Sequence, residues 1–178
     1  MAKFKDIKQV TVNAHYSTNV TWDYLEDSLS HWIEKAKLAK LNMNPDFQRG
    51  HVWTRDQQIA YVEFKLRGGS GSNVILFNCV GWMNSFKGPF VLVDGKQRLE
   101  AVRAFLRDEI PAFGHFYSEY EDKFMLRGVD FIFKVNDLKT RAEVLNWYIE
   151  LNGGGTPHTI NEIEYVRTLL ELDRQNNK

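Results

Sequence analysis

The chain has 178 residues but only one cysteine and no long apolar run. Cys79 alone excludes an internal disulfide, and because it lies in the apolar stretch 74–80 we expect its thiol to pack rather than react. No segment approaches the roughly 20 apolar residues of a membrane-spanning helix, and the polar start at residues 1–5 has no signal-peptide core. We therefore expect a cytoplasmic protein without a membrane partner.

An excess of charge of one sign is also missing, since 23 basic side chains balance 23 acidic ones. A neutral chain lacks the usual electrostatic attraction to nucleic acid, so contact with DNA would need a local basic patch. The visible candidates for such a patch are either Lys3, Lys5 and Lys8 or Arg49, Arg55 and Arg67. Scattered basic residues usually just solvate a surface, so the composition does not favour a nucleic-acid-binding protein.

The chain does have enough apolar material for one buried core, because 43% of its residues are hydrophobic and 13% are aromatic. It has no internal repeat and no convincing linker, so we expect residues 1–178 to form a single domain. Apolar periodicity and capping pairs predict that strands and helices alternate in an α/β fold. Strands are predicted at residues 10–12, 74–77, 90–93 and 131–135, and helices from Thr21, Thr54, Lys96, Thr140 and Thr159.

Residues 90–98 form the most informative segment, because a short apolar run breaks at an Asp-Gly pair into a cationic, helix-forming segment. This order predicts a strand, a turn and a helix that begins at the edge of a sheet. Unpaired N–H groups at a helix start carry partial positive charge, and Lys96 and Arg98 add full charge, so the site suits phosphate. Asp94 and Gln97 are also spaced as a capping pair that merely starts a helix. We expect both descriptions to hold.

Residues 45–53 are the second unusual segment, since large apolar and polar groups alternate there without a clean strand or helix period. The apolar members can anchor the segment in a core while Gln48 and Arg49 point toward a ligand. An arginine fork matches phosphate oxygens in a bidentate fashion. The alternative is a structural ion pair between Arg49 and Asp46 or Asp56, which would be favoured for an isolated arginine.

A glycine-rich turn at residues 152–159 is the third segment. Backbone N–H groups of such a turn can converge on an anion, and Asn152, Gly155 and His158 are the candidate ligand contacts. The turn is not a Walker loop, because no Gly-Lys-Ser or Gly-Lys-Thr follows it. The simplest alternative is a helix end that runs into the cap of the next helix.

Glu63 is one more candidate for chemistry. It lies on the helix predicted after Thr54, beside apolar positions at helical spacing, and could serve as a general base or a magnesium ligand. The alternative is a carboxylate that only solvates the helix surface, which is the commoner situation for glutamate.

Taken together, the three segments resemble the N-terminal domain family of GmrSD-type modification-dependent restriction enzymes, which belongs to the ParB and sulfiredoxin-like superfamily. The resemblance is carried by residues 45–49 with Trp53, by residues 94–99, and by residues 152–157 with Glu162. The match spans most of the chain. The usual second motif of this family is DGQQR, and Lys96 stands here in place of its first glutamine, which adds a cation.

The resemblance implies a compact α/β (α+β) domain of the ParB and sulfiredoxin-like type, with a small mixed sheet packed with several helices. It also implies binding of a nucleoside triphosphate with Mg²⁺, and hydrolysis or phosphate transfer in bacterial or phage DNA restriction or modification. Asp94 would hold the magnesium ion or orient its water, and Arg98 would neutralise the phosphates. The other phosphate contacts would be Gln48, Arg49, Gly95, Lys96 and Gln97. No His-Asn-His-type nuclease motif follows, so a separate nuclease or modification protein is an expected partner.

Two other functions stay open. In one, the protein is a DNA-binding nuclease or a sensor of modified DNA, in which the same arginine and glutamine side chains grip the DNA backbone. Zero net charge counts against that function. In the other, the domain keeps the fold, has lost the chemistry and acts as a non-catalytic interaction module.

Overall fold

The computed structural model describes residues 16–35, 39–48, 50, 52–82, 86–153 and 160–176. The strands of this part are β1 (Tyr16–Thr21), β2 (Leu41–Asn42), β3 (Val74–Cys79), β4 (Phe90–Asp94) and β5 (Asp130–Asn136). Its α-helices are α1 (Leu25–Ser30), α2 (Arg55–Leu66), α3 (Lys96–Leu106), α4 (Arg141–Gly153) and α5 (Ile160–Asn176). A 3₁₀ turn at Trp22–Tyr24 and a π-helical turn at His31–Lys35 extend α1 at its two ends. None of the described helices combines the length and apolarity needed to cross a membrane.

The strands form one mixed sheet in the order β1-β5-β3-β4-β2. β1 runs antiparallel to β5, and β4 runs antiparallel to β3. The pairs β3 with β5 and β2 with β4 are parallel. A five-stranded mixed sheet packed with several helices confirms the predicted α/β (α+β) fold class.

Strand β4 lies between two hydrophobic cores, which explains why its sequence is apolar at successive positions. Phe90 and Leu92 face the larger core, which includes buried side chains of α1, α2 and α3. Val91 and Val93 face a second core built with α4 and α5. The helices therefore cover opposite faces of the sheet at β4. The carboxyl end of β4 therefore lies between the two helical layers, at the point where α3 begins.

Two helix starts follow from capping boxes that the sequence predicts. At the start of α2, the Thr54 N–H donates to Gln57 Oε1 at 2.9 Å and the Gln57 N–H donates to Thr54 Oγ1 at 3.3 Å. At the start of α4, the Thr140 N–H donates to Glu143 Oε2 at 3.0 Å and the Glu143 N–H donates to Thr140 Oγ1 at 3.2 Å. Both predictions are confirmed. The start predicted at Thr159 lies outside the described residues.

Strand β1 was not predicted, and the strand predicted at residues 10–12 lies outside the described residues. β1 lies at one edge of the sheet, and Val20 is its one buried residue. Its local sequence has no alternation of apolar and polar side chains, so the strand depends on pairing with β5 from Tyr16 opposite Val135 to Thr21 opposite Asp130. Pairing between segments so far apart in the chain leaves no local signal.

Candidate functional site

Helix α3 begins directly after β4 through a backbone conformation that requires glycine. Gly95 occupies the cap position of α3 with φ +98°, in the left-handed region that side chains disfavour. A Cβ atom on Gly95 would also lie 2.5 Å from Cδ1 of Ile75 on the neighbouring strand. The buried strand, the glycine turn and the helix match the predicted order. The helix start therefore lies at the carboxyl end of a central strand.

Asp94 and Arg98 form an ion pair across the first turn of α3. Arg98 Nη2 donates to Asp94 Oδ2 at 2.5 Å, and the side chains are 18% and 41% exposed respectively. The prediction that Asp94 and Gln97 form a capping pair is wrong, because Gly95 is the cap residue and no side chain caps the helix start. A phosphate that binds Arg98 must share it with the Asp94 carboxylate, so this pair sets the charge that a ligand meets.

Lys96 is the first residue of α3 and is only 8% exposed. A cation at the N-terminal end of a helix opposes the helix dipole, which is positive there. Burial increases this cost, because it removes part of the water that would stabilise the ammonium group. An anion bound at the helix start would reverse both effects. The charge of Lys96 would add to the attraction of this helix start for an anion.

Gln97, also on the first turn of α3, is fastened to the 45–53 segment. Its Oε1 accepts hydrogen bonds from the backbone N–H groups of Val52 at 3.0 Å and Trp53 at 3.1 Å. Its Nε2 donates to the Gly50 carbonyl oxygen at 3.1 Å. Both polar atoms of the side chain are thus engaged within the protein. The geometry favours a role for Gln97 in holding the 45–53 segment over the direct phosphate contact that was expected.

The first half of the 45–53 segment lies between β4 and α4. Gln48 Nε2 donates to the Val93 carbonyl oxygen at 3.3 Å, one residue before Asp94. Gln48 Oε1 is buried and has no donor among the described residues. On the other side, the Phe47 ring packs against Tyr148 of α4 with ring centroids 5.3 Å apart. The segment therefore bridges the sheet and α4, as expected for an anchored segment.

Arg49 and His51 lie outside the described residues. Arg49 has Gln48 and Gly50 as its neighbours in the chain. Gln48 is hydrogen bonded to Val93 of β4, and Gly50 is hydrogen bonded to Gln97 of α3. One of the carboxylates considered as its alternative partner, Asp46, accepts a hydrogen bond from Arg141 at 2.8 Å.

The third segment is only partly described, because Gly155 and His158 lie outside the described residues. Asn152 lies on the last turn of α4, and its Nδ2 donates to the carbonyl oxygen of Tyr148 at 2.7 Å. Asn152 lies one helical turn beyond Tyr148, the residue of α4 that packs against Phe47 of the 45–53 segment. Asn152, at the described end of the third segment, thus lies on the helix that packs against the 45–53 segment, and one N–H of its amide bonds within that helix.

Glu63 does not join this cluster. Its Oε1 accepts a hydrogen bond from the Phe113 N–H at 2.7 Å, and its Oε2 lies 3.7 Å from Nη2 of Arg67. Phe113 belongs to the turn that follows the C-terminal end of α3. Asp94 lies at the other end of that helix, about 16 Å away for 11 residues. Glu63 therefore orders a distant turn, and neither the role of general base nor that of magnesium ligand at the Asp94 site is supported.

Tyr61 lies near this cluster and was not anticipated from the sequence. Burial raises the pKa of its phenol well above the ordinary value, and the positive charge of Arg98 works against that increase. The Tyr61 ring lies 5.4 Å from the ring of Trp53, and its hydroxyl donates to the Ser72 carbonyl at 2.8 Å. No motif marks this tyrosine, because its contacts come from three separate parts of the chain.

The described residues contain no cluster of three or more His, Cys, Asp or Glu side chains that could hold a metal ion. Magnesium does not require such a cluster, because it is commonly held by one or two carboxylates together with substrate phosphates and water. Asp94 is the carboxylate that lies at the helix start. A magnesium ion here would arrive with its phosphate ligand.

Comparison with known proteins gives no relatives from which a function could be transferred. No protein-family model matches the chain, and neither a curated protein nor a solved structure does. The resemblance to the GmrSD-type N-terminal domain family therefore stays a hypothesis that depends on the three segments of the sequence.

Proposed function

We propose that this domain binds a nucleoside triphosphate as its magnesium complex, with the phosphates at the N-terminal end of α3. Lys96 and Arg98 supply positive charge there, and the helix dipole adds to it. Gly95 brings the backbone N–H groups of the first turn to the end of the sheet without a side chain in the way.

The observation that carries this proposal is the fastening of the 45–53 segment to the start of α3. Three hydrogen bonds of Gln97 join the segment to the first turn of α3, and one from Gln48 joins it to the end of β4. Helix α2 begins directly after this segment, so two helices start beside each other. The two segments are therefore neighbours, although they lie some 45 residues apart in the chain. Each of them suits phosphate by its composition.

The chemistry that such a site supports is phosphoryl transfer, because this reaction needs mainly positioning and charge stabilisation. Asp94 would hold the magnesium ion together with phosphate oxygens and water. Arg98, which already donates to Asp94, would be shared with the phosphates. With water as acceptor the protein is a hydrolase, and with another acceptor it is a phosphotransferase. A place in bacterial or phage DNA restriction or modification, with a separate nuclease or modification protein, rests on the sequence resemblance.

The direct test is calorimetric titration with ATP, GTP, CTP and UTP in the presence of magnesium chloride. We expect at least one to bind, and Arg98→Ala to weaken binding by roughly tenfold to a hundredfold, as for a lost charge-assisted hydrogen bond. Arg107→Ala is the matched control, because Arg107 follows the C-terminal end of the same helix and pairs with Glu26 at 2.6 Å. This control should bind like the unaltered protein.

Two results would overturn the proposal. One is the absence of binding by all four nucleotides, and the other is equal affinity of Arg98→Ala and the unaltered protein. Phosphate release from the bound nucleotide, measured on the same samples, separates a hydrolase from a domain that only binds.

A further inference from the structure

Gln97 bonds through both polar atoms of its side-chain amide to a stretch of backbone that is distant in the chain. Its Oε1 accepts from two successive N–H groups, those of Val52 and Trp53, and its Nε2 donates to the Gly50 carbonyl. The amide oxygen has two lone pairs and both accept here, so a ligand donor could reach Oε1 only by displacing one of these bonds, whereas Nε2 has a second N–H that these three bonds do not use. The side chain acts on the 45–53 segment first.

Among the described residues of the 45–53 segment, few other contacts hold Gly50 and Val52 in place. Val52 is 48% exposed, and no regular strand or helix covers residues 43–54 where they are described. Trp53 packs against Tyr61 of α2, whereas Gln48 bonds to the Val93 carbonyl at the end of β4. Gln97 lies between these two anchors and joins the segment to the first turn of α3. It fixes where the segment stands relative to the helix start.

From this geometry we infer that Gln97 is a positioning residue, which holds the 45–53 segment against the start of α3 so that both sides of the phosphate site are assembled before ligand arrives. This inference rests on the proposed nucleotide site. A preassembled site binds more tightly, because the ordering of a loop does not have to be completed on binding. Loss of the Gln97 bonds should therefore lower the affinity for the ligand without unfolding the protein. The released backbone groups lie at or near the surface and can bond to water.

The decisive variant is Gln97→Met, which keeps the length of the side chain and removes all three hydrogen bonds. Its matched control is Gln57→Met. Gln57 Oε1 accepts from the Thr54 N–H at 2.9 Å, one residue beyond Trp53, but it belongs to the capping box of α2 and does not reach α3. The two variants lose the same kind of side chain on the same stretch of chain. Only one of them separates the 45–53 segment from the helix start.

Two measurements are made on each protein. The first is calorimetric affinity for magnesium ATP, or for whichever of the four nucleoside triphosphates binds most tightly. The second is hydrogen exchange of the Val52 and Trp53 amides by NMR, which reports whether their hydrogen bonds to Gln97 are formed when no ligand is present. For Gln97→Met we expect exchange at both amides to rise by about tenfold and affinity to fall by about tenfold. For Gln57→Met we expect unchanged affinity.

Binding of ligand to the unaltered protein distinguishes positioning from direct contact. If Gln97 positions the segment, Val52 and Trp53 stay protected, or become more protected, when nucleotide binds. If their protection falls on binding, Gln97 has turned to the ligand and the inference is wrong. Equal affinity of Gln97→Met and the unaltered protein, with faster exchange, overturns the positioning role alone. Absence of nucleotide binding by the unaltered protein overturns the proposed function as well.

Discussion

The two ends of α3 carry the same number of basic side chains in opposite settings. Lys96 and Arg98 lie on the first turn, and Arg103 and Arg107 lie at the other end. A helix dipole is positive at its start and negative at its end, so it opposes the first pair and favours the second. The second pair stabilises the fold. The first pair lies where the dipole opposes it, which is also the end of the helix that attracts a bound anion.

At the C-terminal end of α3, the charged side chains pair with one another and stabilise the fold. Glu26 accepts from Arg103 Nε at 2.8 Å and from Arg107 Nη2 at 2.6 Å, while Arg103 Nη1 reaches Glu100 at 3.1 Å. Burial acts to raise the pKa of Glu26, but the hydrogen bonds from both arginines outweigh it and hold the pKa below its ordinary value. Two arginines and two glutamates thus balance each other. This cluster joins α3 to α1.

The largest effect that separates the two ends is expected from Gly95→Ala. The native backbone would require alanine to adopt φ +98°, in the left-handed region, and would place its Cβ 2.5 Å from Cδ1 of Ile75. We expect the free energy of unfolding to fall by about 3 kcal/mol, which urea denaturation measures. The start of α3 should shift at the same time, so nucleotide affinity should fall beyond what stability explains.

Gly68→Ala is the control for this change. Gly68 also has a positive φ, +82°, but nothing lies within 4 Å of a Cβ placed there. Gly68→Ala should lower the free energy of unfolding through backbone strain alone, by about 1 kcal/mol. An equal decrease in the free energy of unfolding for the two variants would mean that a small movement relieves the contact with Ile75. Gly95 would then be required only for its backbone angles.

Most elements were predictable because their signals are local. β3, β4 and α3 follow from apolar runs and the glycine between them, and α2 and α4 follow from capping boxes. β1 was missed because its stability comes from a distant partner strand. The pair of Asp94 with Arg98 had a signal that was passed over, since residues four apart on a helix face each other.

The site was less predictable, because its contacts are not local. Gln97 reaches backbone 44 to 47 residues away, and Glu63 reaches Phe113, 50 residues away. No spacing rule connects such positions. Charge and glycine content therefore indicated which segments suit a phosphate, but not which side chains hold the protein together and which face a ligand.

The next largest effect is expected at the structural end, from Glu26→Gln. This change removes the carboxylate that two arginines share and leaves Arg103, which is 13% exposed at its side chain, with Glu100 as partner. We expect a loss of about 1 to 2 kcal/mol in the free energy of unfolding. Nucleotide affinity should stay unchanged, because the cluster lies at the far end of α3. A change in affinity larger than twofold would contradict the separation of the two ends.

The acid dependence of stability gives a second measure of the same cluster. Because the pKa of Glu26 in the folded protein lies below its ordinary value of 4.5, the carboxylate contributes stability that is fully present above that value. The contribution is lost as the pH falls through the folded pKa. Glu26→Gln should therefore show a shallower decrease in stability than the unaltered protein below about pH 4.5. Parallel curves in urea titrations from pH 6 to pH 3 would rule out this contribution.

The smallest effect on stability, and the most informative one on function, is expected from Asp94→Asn. The ion pair with Arg98 spans one helical turn and Asp94 is 41% exposed, so its loss should change the free energy of unfolding by less than about 1 kcal/mol. The change also removes a negative charge and releases Arg98, so binding of nucleotide in the absence of magnesium should become tighter. Magnesium should strengthen nucleotide binding to Asp94→Asn less than it strengthens binding to the unaltered protein, because the variant lacks the carboxylate proposed to hold the metal. Calorimetric titrations with and without EDTA measure both. If magnesium strengthens binding to the same extent in both proteins, Asp94 does not hold the metal and serves only to balance Arg98.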